Sequence, residues 1–277
     1  MTPLALLLMV KSLIISTVSV LQSFHWLLVW VSLEINTIAM IPIMTKLHHP
    51  RAIEAATKYF LAQAVASATI LWSSSINAAL TGEWSISSSP HPLPSITFTI
   101  AIAMKLGLVP LHFWFPEVMQ GLPLKTGLIL STWQKLAPIF LFTQMPQSMN
   151  LSLLMTMGIL SIVVGGWSGI NQTQMRKIMA FSSITHTGWI VLILKFAPHL
   201  ALLSLLLYIL LTTAVFMSLM STSSKNISDL ASSWPKAPTL TALLMLVLLS
   251  LAGLPPLSGF MPKWLIAQEL INQNLTM

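Results

Sequence analysis

Long apolar stretches alternate with short polar connections along the whole chain, and each stretch of about twenty residues could cross ~30 Å of hydrocarbon as an α-helix. Windows of that width predict nine spans, at 3–21, 24–45, 57–80, 95–119, 126–145, 150–169, 177–196, 199–220 and 239–271. Two connections are longer than the rest, the Ser/Pro-rich "TGEWSISSSPHPLP" and the polar "STSSKNISDLASSWPKAP". No soluble domain fits between spans. The pattern predicts an all-α, polytopic transmembrane helical bundle forming a single membrane domain over 1–277.

Two of the spans carry prolines where a helix interior should be. "GLVPLHFWFPE", Gly107 to Glu117, matches "GLPPLSGFMPK", Gly253 to Lys263, at a constant offset of 146, with five identities in eleven positions including two prolines. Proline lacks the backbone N–H and kinks a helix, and inside a membrane the freed carbonyls are tolerated only against protein or water. Matching interruptions in two parts of one chain point to an inverted-repeat, antiporter-like architecture with an ion site at mid-membrane. The expected breaks lie near Pro110 and near Pro255/Pro256. They divide the chain into a first half, 1–145, with broken helix 95–119, and a second half, 146–277, with broken helix 239–271.

Composition narrows the class further. The chain is 55% hydrophobic and 7% charged, with a mean hydropathy of +0.84, whereas soluble domains are roughly 25% charged. Its net charge of +7 is spread singly between apolar runs, with no basic patch interleaved with aromatics, which argues against nucleic acid as a partner. If the spans alternate, Lys46, Arg51, Lys58, Lys125, Arg176, Lys177, Lys225 and Lys236 collect on one side and only Lys195 on the other. That bias places the N-terminus on the cytoplasm-equivalent side. The N-terminal "MTPLALLLMVKSLIISTVSVLQSF" reads as the first span, not as a transit or signal peptide. Without cysteine, the chain has no ligands for iron–sulfur clusters or thiolate zinc sites.

Four ionisable residues fall inside apolar runs: Glu34, Lys105, Lys135 and Lys263. Each costs ~2.5 to 3.5 kcal/mol at mid-bilayer, so together they oppose insertion by on the order of 10 kcal/mol. One reading makes them snorkelling or structural residues. The other makes them a proton relay, since desolvation favours the neutral form of either group and a nearby opposite charge reverses that preference. His112, in the first break, and His186, in "SSITHTGW", are further relay candidates or hydrogen-bonded packing residues. Two isolated histidines do not make a haem site. Lys11 lies near the movable end of a span, and "GGWSG", with Gly165 and Gly169, reads as a helix-packing contact.

At these residues the chain resembles a known family. "HWLLVWVSLEIN", "PRAIEAATKYFLAQAVAS", "KLGLVPLHFWFPEVMQGLPLKTGLILSTWQKLAPI", "MRKIMAFSSITHTGW" and "LAGLPPLSGFMPKW" resemble, in order and spacing, the chain 2 family of mitochondrial NADH:ubiquinone oxidoreductase, respiratory complex I, of vertebrate type. The resemblance covers essentially the whole chain. It implies an antiporter-like core subunit of the membrane arm, multi-pass in the mitochondrial inner membrane with the N-terminus on the matrix side. Such a subunit couples NADH oxidation and ubiquinone reduction in partner subunits to proton pumping, with no redox centre of its own. NADH, FMN, iron–sulfur clusters and ubiquinone would belong to those partners, and neighbouring antiporter-like subunits and membrane lipids would surround it. The resemblance also implies that Glu34, Lys105, Lys135 and Lys263 carry the proton path, with Glu34 as ion-pair partner of Lys105. Chains of this type continue for about two more helices, whereas this sequence stops at "INQNLTM", which leaves the second half without its counterpart of the Lys135 helix and suggests a fragment. Read from residues alone, a free-standing cation/proton antiporter or a structural spacer with buried charges remains open.

Overall fold

The computed structural model describes residues 3–46, 48–86, 90–145 and 150–273; the last four residues of "INQNLTM" lie outside these. The described residues form thirteen α-helices and one 3-10 turn. Helices prevail because a backbone without water must satisfy its polar groups within the segment. Three uninterrupted helices come first: α1 (Pro3–Gln22), α2 (Trp26–Met44) and α3 (Pro50–Thr81). The fourth span is split into α4 (Pro92–Leu106) and α5 (Trp114–Gly121). The fifth runs through α6 (Leu124–Thr132), a 3-10 turn (Trp133–Lys135) and α7 (Leu136–Gln144). After α8 (Leu151–Ile170), α9 (Met175–Ile193) and α10 (Pro198–Thr222) comes a short α11 (Ile227–Ser233). The last span is again split, into α12 (Pro238–Ala252) and α13 (Phe260–Asn272).

Among the described residues these elements make the nine expected spans, with three differences of detail, the first being that the fifth span too is interrupted, at Trp133–Lys135, where only two broken spans were expected. Helix α3 starts seven residues before the predicted 57, because Pro50 occupies its first turn and the His49 ring accepts a hydrogen bond from the Arg51 N–H at 3.2 Å. Arg51, Glu54 and Lys58 hide that start from a hydropathy window; at 32 residues, ~48 Å, the helix is longer than the hydrocarbon is thick. Helix α11 escaped prediction because it is short and polar. It is fixed by a capping box: the Asp229 carboxylate accepts from the Asn226 N–H at 3.0 Å and the Lys225 N–H at 3.1 Å, bonds that hold its pKa below the ordinary carboxylate value.

By packing, the chain forms two compact units, Met1–Leu122 with Gln134–Leu154, and Pro123–Trp133 with Met155–Met277. Helix α6 therefore packs with α9 and α10, although it precedes α7 directly in sequence. In the first unit, Trp26, Tyr59, Phe98, Phe115 and Phe142 are buried among α1 to α5 and α7; in the second, Tyr208 and Phe216 are buried. Close approach of α8 and α9 depends on missing side chains. A Cβ on Gly188 would meet Ser161 Oγ, and one on Gly165 would meet Thr185 Cγ2 at 2.7 Å, whereas Gly169 has ordinary contact distances.

The units repeat one another well beyond the eleven-residue motif. The segment entering α2 pairs with the segment leaving α3 through a bridge between His25 and Ser85, and the segment entering α9 pairs likewise with that leaving α10 through Gln174 and Asn226. Buried positions agree too: Ala52, Tyr59, Gln63 and Ile70 of α3 correspond, 149 residues on, to Ala201, Tyr208, Thr212 and Leu219 of α10. Both broken helices end in the same cap. Gly107 (φ 72°) and Gly253 (φ 85°) take the left-handed conformation, Leu108 N–H reaches Ala103 O at 3.0 Å, and Leu254 N–H reaches Leu249 O at 3.4 Å. Val109–Pro110 and Pro255–Pro256, both cis, follow directly.

Candidate functional site

In the first unit, the break after α4 places Lys105 in the last helical turn before Gly107, 6% exposed. Its Nζ has no hydrogen-bond partner among the described residues. The lysine's backbone carbonyl, one of those left over at a helix end, accepts from Gln63 Nε2 of α3 at 3.4 Å. The Trp114 indole N–H donates to the neighbouring Met104 carbonyl at 3.1 Å, so side chains from both flanks satisfy the broken end.

Glu34, in the middle of α2, is near enough to Lys105 for their charges to interact, but no ion pair within 4.0 Å joins them. Its carboxylate is occupied otherwise. Ser67 Oγ of α3 donates a hydrogen bond to Glu34 Oε1, and Thr37 Oγ1 donates to Oε2 at 3.2 Å. The buried Tyr59 ring, two turns before Ser67, also lies within the electrostatic reach of this carboxylate.

Lys135 is 3% exposed and sits in the 3-10 turn, with its ammonium 5.2 Å from the centre of the Phe115 ring, a cation–π arrangement. Pro138 explains the irregular turn in part: without an N–H it cannot bond to the Gln134 carbonyl one turn earlier. Gln134 Nε2 donates to Asn36 Oδ1 at 2.9 Å, which ties the Lys135 turn to α2 two residues from Glu34. His112, in the first break, is buried, with its ring tilted against Phe113 at 4.3 Å between centres and its Nδ1 without a hydrogen-bond partner among the described residues.

The second unit has its own ammonium at the equivalent break. Lys263 of α13 donates to the carbonyls of Leu251 at 3.3 Å and Ala252 at 3.0 Å, at the negative end of the α12 dipole. At the offset of 146, Leu251 is the counterpart of Lys105 and Lys263 that of Glu117. The same break is thus supplied with a cation from its N-terminal flank in one unit and from its C-terminal flank in the other. Gly253 makes room for this: a Cβ there would lie 2.9 Å from Lys263 Nζ. Lys263 and His186 line one small cavity with Trp189, Ser204 and Tyr208, large enough for water. The His186 ring lies tilted against Tyr208 at 5.4 Å between centres, and the Tyr208 hydroxyl donates to the Ser131 carbonyl at 2.9 Å.

So the structure brings Glu34 and Lys105 into electrostatic range, with Lys135 in the same unit, and Lys263 and His186 around one cavity in the other. Lys11 is exposed on α1 and joins neither group. The sequence reading did not single out Ser67, Thr37, Gln63, Asn36, Gln134 or Tyr59. Their signal was present, as polar residues spaced three or four apart on one face of an apolar helix, at 59, 63 and 67. No group of three His, Cys, Asp or Glu able to hold a metal ion occurs among the described residues.

The model of the family "NADH:quinone oxidoreductase/Mrp antiporter, TM" matches residues 23–277. NADH-ubiquinone oxidoreductase chain 2 of Oncorhynchus mykiss is 60% identical over 275 residues, covering 99% of this chain and 79% of that protein. The chain belongs to the NADH-ubiquinone oxidoreductase chain 2 family. Chain 2 of Aquarana catesbeiana is likewise 60% identical, over 277 residues, covering 100% of this chain and 80% of that protein. A chain in the structure of respiratory complex I from Thermus thermophilus with bound Aureothin superposes with a TM-score of 0.88 at 28% identity, over 97% of this chain and 64% of that one. The present sequence therefore spans about four-fifths of its chain 2 relatives and under two-thirds of the bacterial chain. As a chain 2 subunit it is an antiporter-like, multi-pass component of complex I in the mitochondrial inner membrane, and the redox groups of that complex lie in other subunits.

Proposed function

We propose that Glu34, Lys105, Lys135 and Lys263 carry protons through this subunit, with His112 and His186 as auxiliary relay groups. The observation that supports this most is the shared placement of the three lysines. Each sits at a helix interruption, where helix-end carbonyls turn to side chains for partners, as with Gln63 and Trp114 at the first break and Lys263 itself at the second. A lysine in such a place can exist charged or neutral, and a modest change in a neighbour's charge decides which.

The chemistry then needs no group beyond those present. An ammonium gives up a proton to water and the neutral amine takes one from the opposite direction. Glu34, clamped by Ser67 and Thr37, is the electrostatic partner that faces Lys105. In this reading the positively charged connections face the matrix, which sets the N-terminus there. Quinone reduction in partner subunits would drive the cycle by altering the charge or the position of neighbouring groups.

Lys135→Met and Lys263→Met test the scheme separately in the two units. Each is expected to abolish most NADH-driven acidification of vesicles holding assembled complex I, while native gels show the complex intact. Full acidification in either variant removes that lysine from the path.

A further inference from the structure

We propose that Trp26, Ile70 and Phe98 form an apolar barrier that separates the Glu34–Lys105 centre from one side of the membrane, and that Ser73, Ser95 and Asn77 line a water-accepting vestibule beyond it. The inference rests on the proton-relay reading above and extends it to the protein's insulation. The register of α3 against α4 carries the argument. Gln63 Nε2 bonds the Lys105 carbonyl and Asn77 Oδ1 accepts from the His91 N–H at 3.3 Å, and both pairs fit one antiparallel register. In that register Ser73 lies opposite Ser95, and Ile70 lies opposite Phe98.

All of these α3 residues are on one side of the helix, since 63, 67, 70, 73 and 77 fall within an arc of about 120° at 100° per residue. Along that face the chemistry changes twice. Gln63 and Ser67 serve the charged centre; Ile70 follows, fully buried; then Ser73 and Asn77, both buried and polar. Phe98 is fully buried at the Ile70 level and stacks on Trp26 with ring centres 4.0 Å apart. From Ser67 to Ser73 is ~9 Å of helix rise, too far for a direct hydrogen bond; Ile70 and Phe98 offer none in between, and the hydroxyls of Thr69 and Thr99 at this level donate to the Ala66 and Ile96 carbonyls of their own helices.

The outer segment shows its own polarity. Asn77 is 1% exposed, and its Nδ2 has no partner among the described residues, the usual mark of a group that bonds water. The layer also recurs in the second unit at the equivalent positions. Leu219 and Leu244 are fully buried there, Met175 begins α9 as Trp26 begins α2, and buried Thr241 takes the place of Ser95. A proton wire needs such a gap. Without one, the centre would equilibrate with both sides and the gradient would dissipate through the subunit.

Ile70→Thr, which adds a hydroxyl at nearly constant shape, tests this in assembled complex I reconstituted into vesicles, with Ile70→Val as the size control. Passive proton conductance is read from the decay of an acid pulse without NADH. The barrier predicts a severalfold rise for Ile70→Thr, no rise for Ile70→Val, and unchanged NADH oxidation in both. Wild-type conductance in Ile70→Thr, or an equal leak in Ile70→Val, overturns it. Phe98→Tyr gives a second reading of the same kind if Ile70→Thr does not assemble. Adding Lys105→Met to a leaking variant separates the two ideas. Return to wild-type conductance supports barrier and relay together, whereas a persistent leak keeps the barrier and removes Lys105 from the route.

Discussion

A buried charge is tolerated in proportion to what surrounds it, and the four ionisable residues differ in that respect. Lys263 rests on two helix-end carbonyls, Lys135 has an aromatic face 5.2 Å away, and Lys105 has no hydrogen-bond partner among the described residues and lies in the field of a carboxylate held by hydroxyls. Ser67 is therefore the residue whose loss should be felt most directly at Glu34. Hydrogen bonds to charged groups are worth about 1.5 to 3 kcal/mol, so Ser67→Ala should lower the number of protons pumped per NADH oxidised severalfold while the complex stays assembled. Ser67→Thr, which keeps the hydroxyl, should restore it. Equal pumping by Ser67→Ala and wild type would mean that the carboxylate does not depend on this bond.

Among the elements, the broken helices show what a glycine contributes. Gly253 combines φ 85° with a Cβ position 2.9 Å from Lys263 Nζ, while Gly82 has φ 76° and nothing within 4 Å. Both alanine variants incur the left-handed penalty of roughly 1 to 2 kcal/mol. Only Gly253→Ala should also displace the ammonium, so it is expected to lose pumping where Gly82→Ala retains it. Equal pumping in the two variants would show that the Lys263 position is not critical. The breaks themselves were legible in the sequence, because Gly107/Pro110 and Gly253/Pro255/Pro256 carry their backbone chemistry in their identity. The interruption at Lys135 was not, since Pro138 lies three residues on and a single proline does not reveal where a helix narrows to a 3-10 turn. The polar stripe of α3 was overlooked for another reason. Serine and glutamine lower a hydropathy average only slightly, and their partners Glu34 and Lys105 come from other helices, which only the tertiary packing brings close.

At the scale of the molecule, each compact unit holds a lysine at a helix break together with buried apolar side chains. In the proposed scheme the first moves protons and the second keeps them from leaking. The number of spans, their approximate positions and the family were readable from periodicity and motifs, whereas the division into packing units was not, because α6 joins its unit through contacts distant in sequence. The central claim is that protonation of Lys105 belongs to the pumping cycle. The measurement that tests it most directly is the number of protons translocated per NADH oxidised by assembled complex I carrying Lys105→Met. The relay predicts a reduced ratio with the complex intact; a ratio equal to that of the wild type would contradict it.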